Sequence, residues 1–102
     1  MNNFSEIINE TRPVLVDFFA TWCGPCKKQS SILTQLSEKC GDKIKIVKID
    51  VDKNRELALS HHVQSIPTLI LFSHGEPVWR KSGVQTLETI LEVLREHTSL
   101  HS

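Results

Sequence analysis

An apolar run from Pro13 to Ala20, interrupted only by Asp17, leads through Thr21 straight into Trp22-Cys23-Gly24-Pro25-Cys26. The run is rich in β-branched and aromatic residues, so it reads as a strand covered on both faces. Behind it, Ile32, Leu33 and Leu36 recur at helical spacing, and Gly41 follows Cys40 as a C-terminal cap. The predicted helix therefore spans Gly24 to Cys40, with Pro25 in its first turn, where the missing N–H has no intrahelical partner to lose. Strand, tight junction and helix, in that order, put two thiols one helical turn apart at a helix start. That is a dithiol built to open and close.

Helical geometry gives the two thiols different surroundings. At about 100° per residue, Cys26 lies within roughly 20° of Leu33 and belongs to the buried stripe. Cys23 precedes the first turn, where the positive end of the helix dipole and unpaired backbone N–H groups stabilise a thiolate. A thiol of pKa about 8.5 is only a few per cent ionised at neutral pH, whereas one lowered to about 7 is half ionised and still a competent nucleophile. Cys23 is expected to attack and Cys26 to resolve.

The rest of the chain alternates elements without a linker, repeat or low-complexity tract. Ser5 is expected to cap a short opening helix through Asn9. Ile44 to Asp50 reads as a strand, and Asp50-Val51-Asp52-Lys53-Asn54 leads into a short helix from Arg55 to His61. Thr68 to Phe72 and Val78 to Ser82 read as strands joined across Ser73-His74-Gly75. Thr86 caps a last helix whose Leu87, Ile90, Leu91 and Leu94 share one face. The expected fold is an α/β sandwich, a mixed central β-sheet flanked by helices. With 102 residues, it forms a single domain over 1–102, able to bury about two thirds of its unfolded surface without structural disulfides.

Charge and termini narrow the function classes. Twelve basic and twelve acidic residues cancel with no basic block, which argues against nucleic acid or an anionic membrane as partner. Met-Asn-Asn-Phe-Ser-Glu at the start lacks a basic region followed by an apolar run, and no stretch is long enough to span a bilayer. Three cysteines in a cytosolic chain read as catalytic or free thiols, and the expected compartment is the cytoplasm.

With these residues in view, the chain resembles the thioredoxin family from Val14 to about Leu94. The resemblance rests on Trp22 to Cys26, Val16-Asp17-Phe18, Lys48, Asp50 to Asp52, Ser65-Ile66-Pro67-Thr68, the His74-Gly75 turn and Gly83. It implies a protein-disulfide reductase cycling between a Cys23/Cys26 dithiol and its disulfide, with a role in electron transport and cell redox homeostasis. An NADPH-dependent thioredoxin reductase is the implied electron donor and protein disulfides are the substrates. No cofactor or metal is implied on this chain, and a monomer is expected. The Pro13 strand is placed inside the sheet, between the second and third strands. The extra strand with which the family commonly begins is not expected in so short a start.

The resemblance also assigns roles. Taken alone, Asp17 reads as a partly exposed strand carboxylate, because an ionised carboxylate among Val16, Phe18 and Phe19 is costly unless paired or hydrated. By resemblance it lies beneath Cys26 and accepts its proton through water, with Lys48 as a nearby ammonium that tunes it. Gly24 and Pro25, between the thiols, match the reducing members rather than the oxidases and isomerases, which commonly carry histidine there. Pro67, alone a strand-entry residue, is implied to follow a cis peptide bond facing the dithiol. The backbone of Ile66 can then pair with an extended substrate segment. Trp22, Gly24, Pro25, Ile66 and Gly83 would surround the attacked disulfide.

Other conspicuous residues receive plainer readings. Cys40 is expected to be buried and inert, about 21 Å along the helix from Cys26. Adjacent His61 and His62 point in different directions and read as surface residues, and Trp79 is read as packing on the sheet. A metal module built from Cys23, Cys26 and a second pair from Cys40, His61 or His62 lacks suitable spacing. A non-catalytic interaction subunit would be expected to have lost a thiol. Several residues depart from the family pattern. Ser31 stands at a usual helix-kinking proline, Lys28 and Gln29 replace apolar residues, Phe19 replaces a common tryptophan, and Pro77 requires an edge position.

Overall fold

The computed structural model of the protein describes residues 3–98. β1 (Val14–Phe19) is the strand around which the other elements gather. It pairs in parallel with β2 (Lys45–Asp50) and antiparallel with β3 (Thr68–Ser73), while β4 (Glu76–Ser82) completes the order β2-β1-β3-β4 at the far edge. The sheet is mixed, as expected. A parallel pair needs a long crossover, and α2 (Gly24–Cys40) supplies it between β1 and β2, at the predicted bounds. α1 (Phe4–Ile8), α3 (Arg55–Ser60) and α4 (Leu87–His97) complete the element set.

Strand alternation divides the core between the two sheet faces. Val14, Val16 and Phe18 cluster with Phe4, Ile8, Ile49, Ala58, Ile70 and Phe72 on the face covered by α1 and α3. Leu15 turns the other way and joins Leu33, Leu36, Leu69, Leu71, Ile90 and Leu94 beneath α2 and α4. Asp17 shares the parity of Leu15. It is therefore aimed at the layer that carries the dithiol.

Local signals explain most boundaries. His74 and Gly75 both have positive φ, 52° and 82°, as a two-residue turn matched to strand twist requires. Pro77 sits on the edge strand opposite Phe72, beside an irregularity in the β3–β4 register, so its missing N–H breaks no inner ladder. The Thr86 side chain accepts from Thr89 N–H at 3.1 Å and caps α4. α4 buries Ile90 and Leu94 as predicted, and also Val93.

Two expectations need correction here. Ser5 lies inside α1 rather than capping it; Asn3 holds the cap position and makes no side-chain cap bond. His61 is half-buried rather than a plain surface residue. It follows α3, and its ring packs 5.1 Å from Phe4 and 6.0 Å from Phe72 between ring centroids.

Candidate active site

The end of β1 and the start of α2 fix both sulfurs. Cys23 is the N-cap of α2, and its Sγ accepts the Cys26 N–H at 3.2 Å, so a sulfur holds the place usually taken by a capping oxygen. The sulfurs are joined as a disulfide with the Cα atoms 5.3 Å apart. Cys23 is 5% and Cys26 3% exposed, and both pack with Ala20, Phe19, Val51 and Ile66. Gly24 and Pro25, between them, are exposed.

A second segment closes over the first. The Ile66–Pro67 peptide is cis, and the Ile66 carbonyl oxygen lies 3.9 Å from Cys23 Sγ. Pro67 is buried, and its carbonyl accepts the Gly83 N–H at 2.8 Å, which ties the end of β4 to this segment. Gly83 has a φ of 88°, and no heavy atom lies within 4 Å of where a Cβ would stand. Its outer face is open. Trp22 is 72% exposed, with its indole N–H donating to Asp52 Oδ2 at 2.8 Å. An exposed aromatic surface thus stands next to Cys23 in the chain, tethered by one hydrogen bond. These four predicted binding residues occupy adjoining segments around Cys23.

Behind the dithiol lies a cavity of about 300 Å³, lined in part by Asp17, Cys26, Ser30 and Lys48. Asp17 is 1% exposed, and neither carboxylate oxygen has a hydrogen-bond partner among the described residues. The reading of Asp17 as a partly exposed carboxylate is thereby overturned. Desolvation pushes its pKa up to about 6, and the Lys48 charge offsets only part of that. Lys48 is the register partner of Asp17 on β2, but its Nζ donates to the Ser30 hydroxyl. It acts on Asp17 as a nearby charge. The cavity thus brings a buried carboxylate of raised pKa and the Cys26 side chain to one space.

The plainer readings fare unevenly. Cys40, the last residue of α2, is half-buried rather than buried, because Gly41 ends the helix where its cover runs out; partial burial still raises its pKa. Trp79 does pack against the core on the α2 and α4 side. Lys28 is exposed, whereas Gln29 is fully buried and pairs with the backbone of Gln85. Helical spacing did point to its burial, since Gln29 lies three residues after Cys26 and four before Leu33 on the buried stripe, but its polarity beside two lysines masked that signal. Among the described residues, no group of three or more His, Cys, Asp or Glu side chains gathers as metal ligands would.

The protein-family model described as thioredoxin matches residues 1–96. A Bacillus subtilis thioredoxin is 48% identical over 84 residues, covering 82% of this chain and 81% of that one. A Mycobacterium leprae relative named bifunctional thioredoxin reductase/thioredoxin is 41% identical over 93 residues, covering 91% of this chain but 20% of its own length. Among solved structures, a single-site mutant of a thioredoxin from Halobacterium salinarum superposes with a TM-score of 0.87 at 32% identity, covering 100% of this chain and 88% of that one.

Proposed function

Because the chain belongs to the thioredoxin family, we propose that its disulfide exchange runs through Cys23 as attacking thiol and Cys26 as resolving thiol. The protein is a thiol–disulfide oxidoreductase that reduces protein disulfides. The observation that carries the assignment of roles is the position of Cys23 as N-cap, its sulfur within 3.2 Å of a helix N–H.

The reaction then balances on sulfur. Cys23 thiolate attacks one sulfur of the substrate disulfide; that S–S bond breaks, and the other substrate sulfur leaves as a thiolate and takes a proton. Cys26 gives its proton to Asp17 by way of the cavity and attacks Cys23 Sγ. The mixed disulfide breaks, the second substrate sulfur leaves as a thiolate and is protonated at the expense of Asp17, and Cys23–Cys26 is left oxidised by two electrons. A carboxylate whose pKa is about 6 is mostly ionised at neutral pH, yet far more basic than an ordinary one. Lys48 moderates that basicity. Gly24 and Pro25 keep the thiols one turn apart, and Trp22, Ile66, Pro67 and Gly83 receive an extended segment mainly through backbone and shape. Broad specificity for protein disulfides follows.

The oxidised enzyme needs an external two-electron donor. We assign this to an NADPH-dependent thioredoxin reductase, a pairing supported by the relative whose name joins both activities in one chain. The chain is read as one domain over 1–102, monomeric, serving electron transport and redox homeostasis in the cytoplasm, where thiols are kept reduced. Among the described residues no helix is long and apolar enough to cross a membrane.

Turnover of insulin disulfides tests the reading. The wild-type protein should catalyse it with either a small dithiol or NADPH plus a thioredoxin reductase, and Cys23→Ser should catalyse neither. Turnover with the dithiol alone would remove the reductase and keep the exchange chemistry.

A further inference from the structure

Gln29 takes no part in the reaction derived above, yet it is built into the site. It lies on α2 one turn beyond Cys26 and is 0% exposed. Its carboxamide grips both backbone polar groups of one residue: Oε1 accepts from Gln85 N–H at 2.7 Å, and Nε2 donates to the Gln85 carbonyl at 3.1 Å. From Gln85 the contacts run on to the substrate face. Gln85 Nε2 donates to the Gly83 carbonyl at 3.1 Å, and Gly83 N–H donates to the Pro67 carbonyl at 2.8 Å. The front of Gly83 is open, so the loop is held from behind by hydrogen bonds, with nothing packed in front.

An apolar side chain would fill the same volume with no polar group to satisfy. Burying a primary amide is unfavourable unless its partners are in place, so this amide is matched to the loop it holds. We propose that Gln29 is a positioning residue that fixes the Gly83 loop against Ile66–Pro67. It thereby sets how tightly an extended protein segment docks beside Cys23 and favours protein disulfides over small ones. The inference rests on the docking of substrate along Ile66 and Gly83 proposed above.

Gln29→Met, close in shape but without the two bonds, tests it. The KM for insulin disulfides is expected to rise about tenfold, equivalent to about 1.4 kcal/mol, with kcat changing far less. The ratio of kcat/KM for insulin to that for a small aromatic disulfide should fall by a similar factor. Amide hydrogen exchange gives a second arm that does not depend on the variant folding. In the wild-type protein the Gln85 N–H should exchange slowly, and exchange at the rate of an open loop would overturn the proposal. So would an unchanged KM in Gln29→Met. A third arm separates this failure from that of the docking itself: in a Cys26→Ser protein carrying a trapped substrate peptide, the Ile66 and Gly83 amide resonances should shift. If they shift while Gln29→Met keeps its KM, only the clamp is wrong. If they do not, docking and clamp fall together.

Discussion

At the level of a single residue, Asp17 is a structural liability: a buried carboxylate whose oxygens have no hydrogen-bond partner among the described residues. Its pKa moves from 3.8 to about 6 through burial, so the native state holds the proton more tightly than the unfolded chain does. The associated stability is therefore complete below about pH 4 and is lost as pH rises through about 6. By neutral pH the ionised carboxylate costs the fold about 3 kcal/mol, at about 1.4 kcal/mol per pK unit. Asp17→Asn is thus expected to be more stable near pH 7 by up to about that amount, with the advantage fading at pH 4, and to resolve the mixed disulfide more slowly. Denaturant unfolding at both pH values and single-turnover reduction check the two halves. The thiols differ in the same way. At pH 7 iodoacetamide should modify reduced Cys23 at least about tenfold faster than Cys40, because one meets a helix N-terminus and the other meets desolvation; peptide mapping by mass spectrometry reads the ratio. Both Asp17 and Cys23 could be picked out from sequence, one as the odd residue in an apolar strand and the other by its place before a helix. The burial of Asp17 was not legible, since taken alone it reads as partly exposed and only the resemblance put it beneath Cys26. Nor was the partner of Gln29, because the peptide it holds lies 56 residues away.

Elements with strong local signals appeared where their sequence put them. α2 begins and ends at the predicted residues because a capping cysteine, a first-turn proline and a terminal glycine all agree. α1 and the end of α3 were harder. Five- and six-residue helices carry little periodicity, and long-range packing places their ends. His61 is the clearest example, since its adjacency to His62 says nothing about the Phe4, Phe18 and Phe72 rings it meets. Burial, with Arg80 and His62 nearby, lowers its pKa. A base whose folded pKa is depressed gives stability that is present above the unfolded value near 6.5 and lost as pH falls through the folded one. In an Asp17→Asn background, which removes the opposing titration, His61→Phe should flatten the fall in stability on the acid side of pH 6.5. An unaltered slope in chemical denaturation would mean that His61 titrates freely and the aromatic cluster is loose. Thr86→Ala should cost about 1 kcal/mol through the lost α4 cap, a loss that denaturant unfolding would read.

Across the whole molecule, two helix layers on one mixed sheet bring together the dithiol, a buried carboxylate and the Ile66 and Gly83 segments from distant parts of the chain. The layer order was legible because β1 is apolar on both faces and the elements alternate. The convergence of Cys23, Ile66 and Gly83 was not visible in spacing alone and came from family resemblance, since a cis bond and a loop closure are tertiary facts. In the proposed reaction Cys23 meets the substrate first, and Cys26 finishes it. Incubation of Cys26→Ser and Cys23→Ser proteins with a disulfide-bonded protein, followed by mass spectrometry of the adducts, tests it most directly. Stable mixed disulfides through Cys23 are expected in Cys26→Ser, and few adducts in Cys23→Ser. Abundant adducts through Cys26 in Cys23→Ser, with few in Cys26→Ser, would contradict it.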